Sequence, residues 1–324
     1  MNSSNSTSKT ESKVYKKLLS LNLVKLTKIF VCLGLVLAIG SSYVWYTNLY
    51  LDDERRFWMA IENSMSTPSV TRTLNSGGSG NQVIQTQQFL FSPDMASLSN
   101  VSFEQKSATA ETSVVTEGIA FPDSQYSRYT KFTTTQPKPD GSHANLDNIL
   151  NKWEGAIAEG EDKENARLNY MSELVTLVIF GNFDADFKRD VVAQMQQANV
   201  YRINFAGVID VDGQGEPLEI AGEQVTNYPV EVSLKNYARL LTDAFVYAGY
   251  GEFPPLNPDS YQDDATIEVV VAVSNRTGAV AGVSCGDRNE EYAGYGIRKS
   301  VERPETEFEA GELQNTVQQE LEGV

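Results

Sequence analysis

Ile267–Cys285 reads IEVVVAVSNRTGAVAGVSC, and it contains most of what decides the fold. Side chains of an extended chain point alternately to opposite faces, so Ile267, Val269, Val271 and Val273 share one apolar face. Asn275-Arg276-Thr277-Gly278 collects turn formers, with a glycine where the backbone reverses, and returns the chain into a second strand ending at Cys285. Two such strands predict an antiparallel sheet with one covered side.

Further upstream, Tyr201–Val211 carries the clearest alternation in the chain: Tyr201, Ile203, Phe205, Gly207, Ile209 and Val211 against Arg202, Asn204, Ala206, Val208 and Asp210. It predicts a strand with one core face. Asp212-Gly213-Gln214-Gly215 follows as a turn, and strands over Pro217–Ile220 and Gln224–Val232 return. Ser233 is placed to cap a helix whose apolar face is Leu234, Tyr237, Leu241, Phe245 and Ala248. Downstream of the hairpin a last strand is predicted over Ala293–Val301.

Earlier in the chain, short runs rich in Val, Thr, Phe and Tyr predict strands over Ser69–Leu74, Gln82–Phe91, Asn100–Lys106, Thr112–Phe121 and Gln125–Thr135, with Asn75–Asn81 as a hairpin loop. Their alternation is partial, as for a sheet with one wet face. After Gln136–Ser142 the period becomes helical. Leu146, Ile149, Leu150, Trp153 and Ile157 fall on one face, then Leu168, Met171, Leu174, Val175 and Val178, then Phe183, Phe187, Val191 and Met195. A further helix starts near Asp52 or Asp53, carries Phe57, Trp58, Ile61 and Met65, and stops before Pro68. The predicted class is α+β, over 52–302. From Arg303 the chain is acidic; Leu313, Val317 and Leu321 have the spacing of a short exposed helix, but the sparse apolar content predicts a flexible tail over 303–324.

Ile29–Thr47, IFVCLGLVLAIGSSYVWYT, predicts where that domain sits. No charge lies between Lys28 and Asp52, a gap that reaches roughly 35 Å as a helix, enough for a hydrocarbon core of about 30 Å. Residues 29–48 are therefore expected as a transmembrane signal-anchor. Lys9, Lys13, Lys16, Lys17, Lys25 and Lys28 precede it, so the positive-inside rule keeps a basic tail, 1–28, in the cytoplasm against the anionic inner leaflet. Tyr43, Trp45, Tyr46 and Tyr50 form the outer aromatic belt. The competing reading is a cleaved signal peptide, with Ala38-Ile39-Gly40 as its small-x-small triplet. Cys32 opens the apolar run without the residues that precede a lipidated cysteine, and reads as a small buried side chain.

The chain of 324 residues has a net charge of −17. Residues 1–28 carry six Lys and one Glu, or +5, which leaves 20 Lys and Arg against 42 Asp and Glu, or −22, beyond them. So acidic a domain repels nucleic acid, and no nucleic-acid partner is expected. With Cys32 in the apolar run, Cys285 has no partner for an intramolecular disulfide in the outer domain, and its strand parity with Ala279, Ala281 and Val283 makes it a buried apolar side chain.

His143 is the single histidine and lies in a turn, so a Ser-His-Asp triad, a Cys-His dyad or a zinc site of the usual kind would all depend on one solvated residue. Asp210-Val211-Asp212-Gly213-Gln214-Gly215-Glu216 resembles a calcium loop superficially, but the twelfth position from Asp210 is Ala221 and the flanks read as strands. Asp184 with Asp186, and Asp263 with Asp264, read as solvated or helix-capping carboxylates. Asn75–Asn81 lacks the Lys and Ser or Thr of a phosphate-binding loop. No catalytic, metal or cofactor residue is assigned, no enzyme is expected, and the residues that would hold a ligand stay open.

The order of parts resembles the bacterial lipoprotein-carrier superfamily of the LolA, LolB, LppX and LprG type. The resemblance rests on the first helix with Phe57, Trp58, Ala60 and Ile61 leading into Pro68-Ser69-Val70, on the meandering strands and helical insertion, on the hairpin Tyr201–Ile220, on Tyr228–Tyr237, and on Ile267–Gly278. It implies a curved antiparallel sheet, a half-barrel, wrapped around helices, whose concave face takes up acyl chains. The chain departs from that type in lacking a lipidated cysteine and in carrying a membrane helix, which argues against a free shuttle. The resulting expectation is a single-pass cell-membrane protein, amino terminus cytoplasmic and main domain extracytoplasmic, that binds a lipid or other apolar ligand. The alternative is a structural or protein-interaction ectodomain with no ligand cavity, and a carboxylate-dependent hydrolase ranks third. Protein partners and oligomeric state stay unassigned.

Overall fold

A computed structural model describes residues 28, 31, 33–42, 52–78, 80–107, 109–138, 141–157 and 161–322. The tail 1–27, Cys32, and 43–51 of the expected anchor lie outside the described residues. Within the anchor, 33–42 are helical, and Val31, Leu33, Leu35, Val36, Leu37 and Ile39 are each more than half exposed. Among the described residues no helix is long and apolar enough to cross a membrane. The unit 56–324 holds the whole sheet.

The fold is α+β with an open antiparallel sheet of twelve strands, consistent with a half-barrel. Helix α1 (Asp53–Ser64) precedes the meander β1 (Ser69–Gly78), β2 (Asn81–Leu90), β3 (Ala96–Lys106), β4 (Glu111–Phe121) and β5 (Ser124–Thr134), then β6 (Glu154–Ile157). Helices α2 (Glu161–Leu174) and α3 (Ala185–Gln197) lead to β7 (Tyr201–Ile203), β8 (Glu219–Ile220) and β9 (Glu223–Ser233). Helix α4 (Leu234–Tyr247), β10 (Thr266–Ser274), β11 (Val280–Cys285), β12 (Arg288–Ala293) and α5 (Glu312–Glu322) complete the chain. The strand order is β6-β5-β4-β3-β2-β1-β12-β11-β10-β9-β7, with β8 beside β9. The hairpin that opened the sequence reading is β10–β11, and Val269, Val271 and Val273 are buried as its alternation requires.

Four sequence expectations are corrected. Tyr201–Val211 is not one strand: β7 pairs with β9 only through Ile203↔Val230, the chain then leaves in a short 3-10 turn, and it rejoins at Ile209↔Asn227. Pro229 sits at the break and has no N–H to donate to a continued ladder. Phe205, Ile209 and Val211, expected in the core, are exposed. The helix expected over Leu146–Ile157 is instead a turn followed by β6. Asn151 adopts a left-handed φ of 63°, and a Cβ at Gly155 would lie 2.4 Å from the Gln125 carbonyl oxygen, so the chain there fits only flat against β5. The last strand is Arg288–Ala293 rather than Ala293–Val301, because the turn after Cys285 is only two residues long. The hairpin loop expected over Asn75–Asn81 is mostly strand, paired as far as Gly78↔Asn81.

The segment expected as a flexible tail, 303–324, is structured across its described residues. Leu313 and Val317 of α5 are buried against Leu146 and Ile149, with Tyr129, Phe132 and Phe308 around them. Glu154 accepts from the N–H groups of Gly311 (2.6 Å) and Leu313 (2.7 Å) at the start of α5, and Lys138 pairs with Glu320 at 2.6 Å near its end. Residues more than 160 positions away in sequence, Leu146 and Ile149, thus supply the apolar partner that the local composition lacks.

The main core lies between the sheet and helices α1, α2, α3 and α4, and includes Phe57, Ile61, Tyr170, Met195, Tyr228, Leu241 and Val271. Asp184 caps α3 by accepting from the N–H groups of Asp186 and Phe187, as its sequence position suggested. Ser233 stands at the start of α4 but makes no side-chain cap bond.

Candidate functional site

The space between sheet and helices divides into two halves. Over β7, β9 and β10 it is full: the Phe57 ring lies 5.7 Å from Tyr201 and 5.6 Å from Tyr228, and Tyr201 lies 6.0 Å from Tyr237. The Tyr201 hydroxyl donates to the Leu177 carbonyl (2.9 Å) and the Tyr237 hydroxyl to that of Thr176 (2.8 Å). Burial pushes both phenols far above their ordinary range, so they stay neutral, and each gives its hydroxyl to a backbone carbonyl.

Over β1–β5 the inner face has a different chemistry, which the register makes legible. Three residues of the sheet, Arg72, Gln87 and Ser97, form one polar network with Glu173. Arg72 Nη2 donates to Gln87 Oε1 (2.6 Å), Gln87 Nε2 donates to Glu173 Oε2 (2.6 Å), and Ser97 Oγ donates to the same oxygen (3.0 Å). Glu173 comes from α2, so this is the helix-covered face of the sheet. Arg72 is 5% exposed, its guanidinium lies 5.1 Å from the Phe89 ring centroid, and its Nε has no partner among the described residues. Burial raises the Glu173 carboxyl above its ordinary value, against the Ser97 hydrogen bond, the Arg72 charge and the Gln87 hydrogen bond that favour the ionised form.

Alternation carries the same face outward along each strand. Arg72 pairs with Gln87, Gln87 with Ser99, and Ser99 with Gly118. Two residues on, about 7 Å along the strands, Leu74 pairs with Gln85, Gln85 with Val101, and Val101 with Thr116. Two further, Val83, Phe103, Val114 and Phe132 stand in a direct cross-strand row. The strip of Leu74, Val83, Val101, Phe103 and Val114 is half-buried and belongs to none of the buried clusters, whereas Phe132 at its β5 end is covered by the α5 cluster. The opposite face of the same strands presents Thr73, Thr86, Asn100, Ser102 and Glu117. An apolar surface therefore adjoins a buried polar network on the inner face.

A cavity of about 320 Å³ lies where the polar row meets α2 and the tail, lined by Ser99, Gly118, Ser127, Glu154, Glu173 and Ala310 among others. A larger groove of about 790 Å³ runs past Met95, Phe121 and Val301 at the start of α2. Both of its arginines are matched by acids: Arg303 pairs with Asp123 at 2.8 Å, and Arg167 with Glu164; with Lys163, Asp94, Asp123 and Glu164 the lining carries both signs of charge. Charge therefore selects nothing there.

The residues singled out in the sequence stand apart from this site. His143 is exposed, in a bridge with Pro137. Cys285 is half-buried at the end of β11 against the main core. Asp212 accepts from the N–H groups of Gln214 and Glu216 in an exposed turn, and Asp263 pairs with Lys235 at 2.8 Å. Among the described residues no group of three or more His, Cys, Asp or Glu side chains could hold a metal ion. Arg72, Gln87, Ser97 and Glu173 were not singled out, since their only sequence signal is a polar residue on a strand or helix face otherwise read as core.

No known family pattern matches the chain, and no curated protein matches its sequence. In structure the chain is similar to LprF from Mycobacterium bovis, a protein of the LppX and LprG type, with 11% identity, a TM-score of 0.34 and coverage of 78% of this chain and 98% of that one.

Proposed function

We propose that the chain is a membrane-tethered, extracytoplasmic binding module that holds a lipid-like or other apolar ligand against the inner face of β1–β4, and that it acts by binding rather than catalysis. The observation that carries the reading is the strip of Leu74, Val83, Val101, Phe103 and Val114, which faces inward and stays partly exposed yet, among the described residues, belongs to no buried cluster. Apolar area left partly in water gains roughly 25 cal/mol per Å² when covered, so a ligand laid across five such side chains has a driving force to stay. The tether is supported by the stretch 31–42, where six apolar side chains stand exposed around a helix, a pattern suited to lipid.

The interaction-ectodomain reading draws on a separate observation, the filled half over β7, β9 and β10, where no ligand fits without displacing Phe57 or Tyr228. The two readings separate in one experiment. The full chain is purified in amphipol and extracted with solvent, and the extract is analysed by mass spectrometry; methyl resonances of Leu74, Val83, Val101 and Val114 are then followed while decanol is added. A recovered apolar ligand, or saturable shifts at those methyls, supports the binding module. A chain that yields no ligand and shows no shift is an interaction ectodomain instead.

A further inference from the structure

The cavity behind the strip carries information about the polar end of the ligand. Its lining carries two carboxylates, Glu154 and Glu173, together with the Tyr126 phenol, and no Lys or Arg. Glu154 is already used on both oxygens by the N–H groups of Gly311 and Leu313. Glu173 is used on one: Oε2 takes Gln87 and Ser97, while Oε1 accepts no hydrogen bond among the described residues. The nearest base in its network, Arg72, reaches it only through the Gln87 amide, whose oxygen takes the arginine and whose nitrogen gives to the carboxylate. Glu173 Oε1 is open to the cavity and its solvent rather than sealed in the core, so water is its donor there, and a charged donor entering the cavity makes a stronger bond. Gly118 keeps the floor low, since a Cβ there would stand 2.5 Å from Ser99 Oγ. Ser99 lies two residues from Val101, so the cavity and the strip are consecutive along β3.

We infer that this cavity takes an ammonium-bearing head group, with Glu173 Oε1 as its acceptor and the Ser99 hydroxyl beside it, while the apolar body lies on Val101, Phe103 and Val114. The inference rests on the binding-module reading and deepens it, giving the ligand class as a cationic or zwitterionic amphiphile. An anionic head group meets two carboxylates and no base, and is rejected.

The test compares three probes of one chain length, decylammonium, decanol and decanoate, by methyl resonance titration on the full chain in amphipol. Decylammonium is expected to bind about tenfold more tightly than decanol, and decanoate more weakly than either. Glu173→Gln keeps the shape and is expected to bring the ammonium-to-alcohol ratio to about one, with an unchanged amide resonance pattern over β9–β11, remote from the cavity, showing that the variant is folded. Equal binding of the three probes to the native chain overturns the inference while the strip reading stands. An ammonium preference that survives in Glu173→Gln overturns it as well, since another acceptor would then be responsible. Failure of the strip reading looks different, because no probe would shift the methyls at all.

Discussion

The double substitution Val101→Ser with Phe103→Ser tests the binding surface while sparing the core. Both side chains lie on the inner face of β3, two residues apart, and neither belongs to a buried cluster. Full burial of a Val or Phe side chain is worth about 1.5 to 3 kcal/mol, and both are of intermediate burial, so most of each is already covered in the folded state. The loss in folding stability is therefore expected at about 3 kcal/mol for the pair. A ligand that covers the part still exposed, about a quarter of each, gains about 1 kcal/mol from the pair, so their removal raises the dissociation constant about fivefold. The assay is a decanol titration on the Leu74 and Val83 methyls, paired with a denaturant melt. Unchanged affinity refutes the strip as the binding surface. A stability loss above about 5 kcal/mol refutes it too, since it would show that Val101 and Phe103 are core side chains.

Leu313→Ala with Val317→Ala removes the two side chains that dock α5, and should speed amide exchange over 308–322 and 146–154 while the main sheet keeps its unfolding midpoint; a matching fall of the global midpoint would contradict this. Gln87→Leu leaves Arg72 Nη2 and Glu173 Oε2 each short of a buried partner and is expected to cost about 3 kcal/mol in denaturant, with part recovered when Arg72→Met is added. If the single change is neutral, the network is not dry. The Glu173 carboxyl is raised above its ordinary value of 4.5, so the native state binds that proton more tightly than the unfolded chain. Its contribution to stability is thus largest below the unfolded value and is lost as pH rises through the raised folded value. Arg72 from β1, Gln87 from β2, Ser97 from β3 and Glu154 from β6 are the polar groups around it, and Arg72 limits the effect by favouring the anion. Glu173→Gln should flatten that slope in stability-against-pH curves, and an unaltered slope would assign it to other groups.

Much of the fold was legible because the signals were local. Runs rich in Val, Thr and Phe with Gly-containing turns located β1–β5, the alternation of Ile267–Val273 located β10, and the i, i+4 spacing of Tyr237, Leu241 and Phe245 located α4. The misreadings share a cause, which is that a side-chain pattern states what a segment could bury and not what lies opposite. Tyr201–Val211 alternates well, but its partner strand has a proline at the pairing position. Leu146–Ile157 has helical spacing, but Gly155 lies flat on β5. Leu313 and Val317 looked too few to hold a helix, and they are, without Leu146 and Ile149.

The candidate site was less legible for the same reason. Arg72, Gln87, Ser97 and Glu173 are spread over a hundred residues, and each is an ordinary polar residue in its own segment. Strand register pairs Arg72 with Gln87 and sets Ser97 on the same face one pair along, α2 brings Glu173 over them, and the apolar strip begins two residues further out.

By itself the sequence determined the α+β class, most of the strands and the acidic character of the domain, because composition and short-range periodicity act through the chain's own neighbours. Tertiary structure alone decided that one half of the inner face is filled and the other left open, and that a carboxylate with an idle oxygen sits behind an uncovered apolar strip. Those outcomes depend on which strands pair and in what register, a choice made by contacts between residues far apart in the chain.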